Sequence, residues 1–268
     1  MNRKRLMTYL LVMMIPFITG CLTTDTDLSM KADSGSGLLT VSMTDVPLQN
    51  VQRLNVKIAE LSVKKILTDE TEEWISLKSD IPMFNVMDYR NGIMYMLGNK
   101  QMEPGRYTQF KIKFIEAELV ENSVIHDMDI SENFTEGLII NYDFEVSDTS
   151  DVDVVVDLDV ERSVIQNNEE YIFSPVLRIT EKSKAGSISG RVFPADSLAK
   201  VEAYSNDGER ISASIIRSDG SFVLAYLPPG TYDLMVIATG YEIDTTAKNI
   251  VVRAGIITPG LKINLTSD

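Results

Sequence analysis

The stretch DVDVVVDLDV, residues 151–160, decides the fold class because aspartate and aliphatic residues alternate along it at the two-residue period of a β-strand. In a strand, Asp151, Asp153, Asp157 and Asp159 share one face and the opposite face is aliphatic. The pattern predicts a half-buried strand whose acidic side faces water. A single straight strand cannot wrap a calcium ion, which takes about six to eight oxygen ligands.

The same two-residue period recurs in most segments after residue 37, with Gly, Pro, Asn and Asp between them. In RLNVKIAELSV, residues 53–63, the apolar positions change parity, which predicts a β-bulge near Ala59 and Glu60. VMDYRNGIMYMLGNK, residues 86–100, is the exception, and we expect a turn followed by a short helix near residues 93–97. The chain is therefore predicted to be all-β.

A polar break, TEKSKAG at residues 180–186, separates a second unit from the first. Strong turn signals follow the break at SNDGE (205–209), SDGS (218–221) and LPPGTY (227–232). This density of turns is typical of a small antiparallel sandwich. We predict two β-sandwich-like domains in tandem, over residues 37–182 and 186–266.

The amino terminus has the organisation of a secretory signal. Three cationic residues precede the apolar run 6–18, which is too short to span a bilayer comfortably, and ITGC closes it at residues 18–21. The segment resembles a bacterial lipoprotein signal peptide. That resemblance implies cleavage between Gly20 and Cys21, removal of residues 1–20 and lipidation of Cys21. An ordinary secretory signal followed by an incidental Cys is the alternative.

Residues 21–36 are polar and rich in Ser, Thr, Asp and Gly, so we expect a lipidated, flexible tether with a reach of roughly 20 Å. The membrane would then be a partner through the lipid on Cys21. Leu22 stands where the inner-membrane retention signal of enteric bacteria has Asp. The expected location is the cell envelope outside the cytoplasm, at the outer membrane or cell surface rather than the inner membrane.

The composition excludes several classes of function. A net charge of −14 makes nucleic acid a poor partner. The chain has one Cys and one His, so it cannot form an internal disulfide framework, a Cys/His zinc site or a multi-histidine metal centre. We expect no cofactor and no enzymatic activity.

Two family resemblances cover most of the chain. The segments LLTVSMTDVP, FNVMDYRNGIMYMLGNKQMEPGRYTQFKI and VVVDLDVERSVI resemble prokaryotic envelope lipoproteins of the domain of unknown function family 4382, and they span residues 37–180 in the family's order. This resemblance implies an extracytoplasmic all-β domain without established catalytic residues. It includes Asp157 and Asp159 but not Asp151 and Asp153, so the second pair is the candidate for a hydrogen-bonded or ion-coordinating role.

The second unit carries its own resemblance. The segments GSISGRV, AKVEAYSNDGE and DGSFVLAYLPPGTYDLMVIATGYE, within residues 186–266, resemble the carboxypeptidase regulatory-like domain, a transthyretin-like sandwich grouped with carbohydrate-binding-like folds. In enzymes and transporters, such modules are non-catalytic accessories.

Few residues are candidates for a site. DMDISENFTEGL, residues 127–138, begins like an EF-hand calcium loop, with Asp127 and Asp129 at the first and third positions. It lacks the other required residues, because Glu132 stands in place of the Gly and Leu138 in place of the bidentate Glu. Calcium candidates are therefore limited to Asp127, Asp129 and the pair Asp157 and Asp159. His126 has no GxSxG serine elbow to complete a triad.

The sequence leaves more than one function open. Tyr89, Tyr95 and Tyr107 flank the Met-rich segment and are the best candidates for a ligand rim. The expected function is a non-catalytic, lipid-anchored protein that presents a binding or assembly surface to an envelope protein or a glycan. A glycan-binding lipoprotein and a hydrolase with an unrecognised carboxylate pair are the alternatives.

Overall fold

A computed structural model describes residues 35–46, 51–168 and 170–268. The predicted signal peptide, Gly20, Cys21 and most of the tether lie outside these residues. The prediction of an all-β fold is confirmed. Among the described residues, no helix is long and apolar enough to cross a membrane.

Eleven strands in the described part of the chain precede the polar break. They are β1 (Gly37–Val46), β2 (Val51–Ile66), β3 (Glu72–Asn85), β4 (Tyr95–Met102), β5 (Gly105–Glu121), β6 (Val124–Ile130), β7 (Leu138–Val146), β8 (Val152–Asp159), β9 (Val164–Asn167), β10 (Glu170–Phe173) and β11 (Leu177–Glu181). A single helical turn, α1 (Val160–Ser163), follows β8.

These strands form two sheets that enclose one hydrophobic core. The smaller sheet has the order β11-β8-β1-β4, and the larger has the order β3-β2-β5-β6-β10-β9 with β7 also paired to β5. In the β2–β5 ladder the register jumps from Ile58 opposite Phe114 to Glu60 opposite Lys113, so Ala59 is the extra residue. The bulge predicted from the parity change is confirmed.

The helix predicted near residues 93–97 is wrong, because strand β4 begins at Tyr95 and pairs with β1. Val41 lies opposite Gly98 and Ser42 opposite Met96, which leaves Leu97 as a bulge residue. The bulge breaks the alternation of the strand, so the sequence lacks the two-residue period there. The predicted turn is present before the strand, where Asn91 and Gly92 both have positive φ.

Seven strands form a second pair of sheets after the break. They are β12 (Gly186–Phe193), β13 (Lys200–Ser205), β14 (Arg210–Ile215), β15 (Ser221–Leu227), β16 (Gly230–Ile237), β17 (Ile250–Val252) and β18 (Ile257–Asn264). Their orders are β15-β12-β18 and β14-β13-β16-β17, around a second hydrophobic core.

The turn residues of this second sandwich act as the sequence predicts. Gly208 and Gly220 have φ values of 83° and 79° at the β13–β14 and β14–β15 connections, a conformation that glycine adopts without steric cost. Tyr232 is buried, and its hydroxyl donates a 2.7 Å hydrogen bond to the Pro228 carbonyl oxygen. This bond fixes the corner between β15 and β16.

Candidate functional site

The two halves of the aspartate ladder have different environments. Asp151 and Asp153 are exposed, as expected of a solvated face. Asp157 and Asp159 are each only 5% exposed, although they lie on the same side of β8. The second half of the acidic face is therefore covered, and burial on this scale requires partners for each charge.

Arginines supply those partners. Arg178 on β11 forms an ion pair with Asp157. Arg162 donates from Nε to Asp159 Oδ2 at 2.7 Å, and the Asp159 side chain also caps α1 by accepting the Arg162 backbone N–H at 3.0 Å. Burial raises the pKa of Asp157, and the Arg178 guanidinium opposes that rise.

A third arginine, Arg210 on β14, reaches Asp159 from the second sandwich. Its Nη2 lies 3.0 and 2.9 Å from the two carboxylate oxygens, and its Nη1 contacts Glu161 and lies 2.9 Å from Glu202 Oε1. Lys200 bridges the same two glutamates at 2.9 Å each. Burial alone would raise the pKa of Glu161 and Glu202, but hydrogen bonds from the cations lower both pKa values. These five residues, Asp159, Glu161, Lys200, Glu202 and Arg210, are the bridging network.

The Asn91–Gly92 turn makes a second connection between the sandwiches. Asn91 Oδ1 accepts hydrogen bonds from Ser214 Oγ at 2.7 Å and from the Val223 backbone N–H at 3.2 Å. The Tyr226 hydroxyl donates to the Gly92 carbonyl oxygen at 2.9 Å. The described residues of both sandwiches accordingly belong to one compact unit.

A cleft of ≈ 290 Å³ lies beside the bridging network, and we call it the β11 cleft. Residues 176–179 form one wall, and Ile140 of β7 and Ile211 of β14 also line it. The charged side chains that line the cleft are Arg162, Glu209 and the ion-paired residues Asp157, Asp159, Arg178 and Arg210. Its size is at the small end of the range for ligand cavities, about 300–1,000 Å³.

Asp45 is a buried carboxyl group that was not predicted from the sequence. It lies on β1 opposite Leu158 in the parallel β1–β8 ladder and is 5% exposed. Neither carboxyl oxygen has a hydrogen-bond partner among the described residues. Burial, and then the charge of Asp157, raise the pKa of Asp45 well above its ordinary value. Asp45 continues the inward parity of Leu39, Val41 and Met43 on β1, which is the sequence signal for its burial.

The calcium candidates are not brought together by the fold. Asp127 and Asp129 are exposed on β6 in the larger sheet, whereas Asp157 and Asp159 are on β8 in the smaller one. Across the described ranges, no group of three or more His, Cys, Asp or Glu residues is placed to hold a metal ion. The buried pair binds arginine side chains.

The tyrosines do not form an exposed rim. Tyr107 is fully buried, stacks on Phe144 with ring centroids 5.1 Å apart, and donates its hydroxyl to the Glu103 carbonyl oxygen. Burial, and then the nearby Glu103, raise the pKa of Tyr107 to about 12. Its inclusion in a rim is wrong, because the two-residue period of β5 turns it into the core. Tyr89 and Tyr95 are half-buried and pack against that core.

His126 packs against an aromatic ring. It lies on β6, half-buried, with its ring centroid 4.4 Å from that of Tyr171. This environment supplies no nucleophile for a triad within the described part of the chain.

The fold and cleft define a class, an all-β protein with two sandwiches joined by a buried ion-pair network. The chain belongs to the family described as Domain of unknown function (DUF4382), which matches residues 36–175. The chain matches no curated protein.

Several solved structures are similar to the chain at low sequence identity. The Bacillus anthracis TIE protein is 15% identical with a TM-score of 0.27, over 87% of this chain and 34% of that one, so the chain spans about a third of it. GBS52, the minor pilin of Streptococcus agalactiae, is 12% identical with a TM-score of 0.26, over 87% and 97% of the two chains. A putative adhesin from Bacteroides ovatus is 11% identical with a TM-score of 0.23, over 94% and 99%. Family membership rests on the match to residues 36–175.

Proposed function

We propose that the protein is a non-catalytic, lipid-anchored component of the cell envelope that presents a binding surface outside the cytoplasm. The β11 cleft is that surface. The observation that supports this proposal is the pairing of the cleft's two buried carboxylates with arginine. Asp157 and Asp159 are both buried and paired with arginine side chains, so their carboxylate oxygens contact protein cations rather than open solvent.

The anchor is proposed from the amino-terminal sequence. Lipid on Cys21 would hold the chain at the membrane, and the excess of acidic over basic residues would keep the folded part away from anionic headgroups. We propose the outer membrane or the cell surface as the location. The tether would then place the binding surface within reach of other envelope components.

The second sandwich is proposed to be a carboxypeptidase regulatory-like module with an accessory role. Its two-sheet architecture, its glycine turns and the Tyr232 corner support this assignment. In this chain the module supplies Arg210 and one side of the β11 cleft. The accessory is therefore part of the binding surface.

Cell fractionation of Cys21→Ala tests the anchor. We expect the wild-type chain to remain with membranes after a high-salt wash and Cys21→Ala to appear in the soluble extracytoplasmic fraction. Labelling of intact cells with a membrane-impermeant lysine reagent should modify the wild-type chain if it is surface-exposed. Equal membrane retention of both forms would refute lipid anchoring through Cys21, and protection from the reagent in intact cells but not in lysed ones would refute a surface location.

A further inference from the structure

Strand β11 lies at an edge of its sheet and pairs only with β8 within the described chain. The Asp159 backbone N–H donates to the Val176 carbonyl oxygen, as at a hydrogen-bonded pair position of the ladder, whereas the Val176 N–H donates to Ser163 Oγ. Such pairs alternate along an antiparallel ladder, so Arg178 and Thr180 also face β8. The backbone groups of Leu177, Ile179 and Glu181 consequently point away from the sheet.

The backbone N–H of Glu181 does point away from β8. The Glu181 backbone N–H donates to the Tyr142 hydroxyl at 2.9 Å, across the gap to β7. For Leu177 and Ile179, no hydrogen-bond partner is found among residues 35–46, 51–168 and 170–268. Both residues line the β11 cleft, so the cleft runs along the unpaired edge of the strand. Leu177 is half-buried and Ile179 is 8% exposed, so the unpaired backbone groups of this edge are open to a partner that enters the cleft.

The spacing of these groups matches one kind of ligand. Residues two apart on a strand are separated by about 6.5–7 Å, and each presents one N–H and one C=O to the same side. An extended peptide presents the complementary groups at the same interval, which is how peptides add a strand to an exposed sheet edge. Ile140 and Ile211 supply apolar contacts for its side chains.

Arg162 supplies a charged end to the cleft. Its side chain is 44% exposed and is tied to Asp159 only through Nε, so within the described chain its two terminal nitrogens carry no hydrogen bond. Asp159 lies opposite Val176, and Arg162 is therefore near the amino-terminal end of β11. A guanidinium placed in this way binds a carboxylate strongly.

We propose that the β11 cleft binds a short extended peptide bearing a carboxylate at its C-terminal end. The peptide pairs antiparallel with β11, which brings its C-terminal end to Arg162. Its backbone bonds to Leu177 and Ile179, and Tyr142 limits the groove at the other end. This inference deepens the proposed binding function and rests on it.

Calorimetric titration of the full chain in detergent micelles with acetyl-Thr-Val-Thr-Val tests the proposal. We expect a dissociation constant below about 1 mM for the free acid. Amidation of the peptide's C-terminus, or Arg162→Gln in the protein, should each weaken binding about ten- to hundredfold, since each removes a charge-assisted bond. Arg191→Gln is the matched control, because Arg191 is 57% exposed and paired with Asp219, and neither residue lines this cleft. It should leave binding unchanged.

Backbone methylation of the peptide tests the pairing itself. In an antiparallel ladder, alternate residues donate their N–H groups, so N-methylation at one parity should abolish binding and at the other parity should not. Peptide binding should also slow hydrogen exchange at Leu177 and Ile179 in the wild-type chain, a readout that needs no variant. Absence of binding, indifference to the carboxylate, or equal tolerance of methylation at both parities would each overturn the proposal. Titration in micelles does not depend on the anchor, so the fate of Cys21→Ala in fractionation is read separately.

Discussion

Replacement of Arg210 by Leu is the sharpest test of the bridging network. The side chain of Arg210 is 13% exposed and bonds to Asp159, Glu161 and Glu202; the side chains of Asp159 and Glu202 are only 7% and 4% exposed. Removal of one member of a buried ion pair typically costs about 3–5 kcal/mol, because it leaves a buried charge without compensation. Here Arg162 still binds Asp159 and Lys200 still binds both glutamates. We therefore expect the lower end, about 3 kcal/mol.

Urea unfolding measures this loss. With a denaturant slope of about 3 kcal/mol per molar, the midpoint of Arg210→Leu should fall by roughly 1 M. Arg191→Leu is the control, because Arg191 and its partner Asp219 are both more than half exposed, and such pairs contribute about 0–1 kcal/mol. A midpoint for Arg210→Leu that matches the control would refute the reasoning.

The same experiment can show that the network connects the sandwiches. Trp74 is the only tryptophan and lies on β3 of the first sandwich, so its fluorescence reports that sandwich alone, whereas far-ultraviolet circular dichroism reports both. We expect the two signals to coincide in the wild-type chain and to diverge in Arg210→Leu. Coincident transitions in both proteins would contradict the assigned role.

Two further substitutions probe the buried polar groups. Because burial raises the pKa of Asp45, the wild-type chain should lose stability as pH rises from about 4 through that raised pKa; Asp45→Asn should flatten this loss. Urea unfolding midpoints measured at several pH values test this expectation. The same dependence of the midpoint on pH in wild type and Asp45→Asn would contradict it. Asn91→Gly keeps the positive φ but removes the bonds to Ser214 and Val223, so we expect a cost of about 1–2 kcal/mol. Asn122 also has positive φ but is exposed, so Asn122→Gly should cost nearly nothing, and equal midpoints for the two glycine variants would argue against docking by Asn91.

Local patterns in the sequence were sufficient for much of the fold. The parity change at Ala59 predicts the bulge because an extra residue moves every later side chain to the other face. The Asp-Gly pairs predict the tight turns because glycine adopts positive φ freely. The bulge at Leu97 was missed because its irregular spacing removes the alternation that identifies a strand.

The site was less accessible to sequence reasoning because its parts are distant along the chain. Arg178 and Arg210 are 21 and 51 residues from the aspartates that they bind. No local pattern distinguishes these arginines from exposed ones. The division of the aspartate ladder was visible in the family resemblance, but its cause, coverage by a second sandwich, depends on tertiary packing.

The bridging network also limits how the two modules could be recombined. Asp159 and Glu161 belong to the first sandwich, whereas Lys200, Glu202 and Arg210 belong to the second. A foreign module spliced at the polar break would inherit two carboxylates that need cations and an Asn91 turn that needs a docking strand. Transplantation of either half into another chain would have to carry these complementary residues with it.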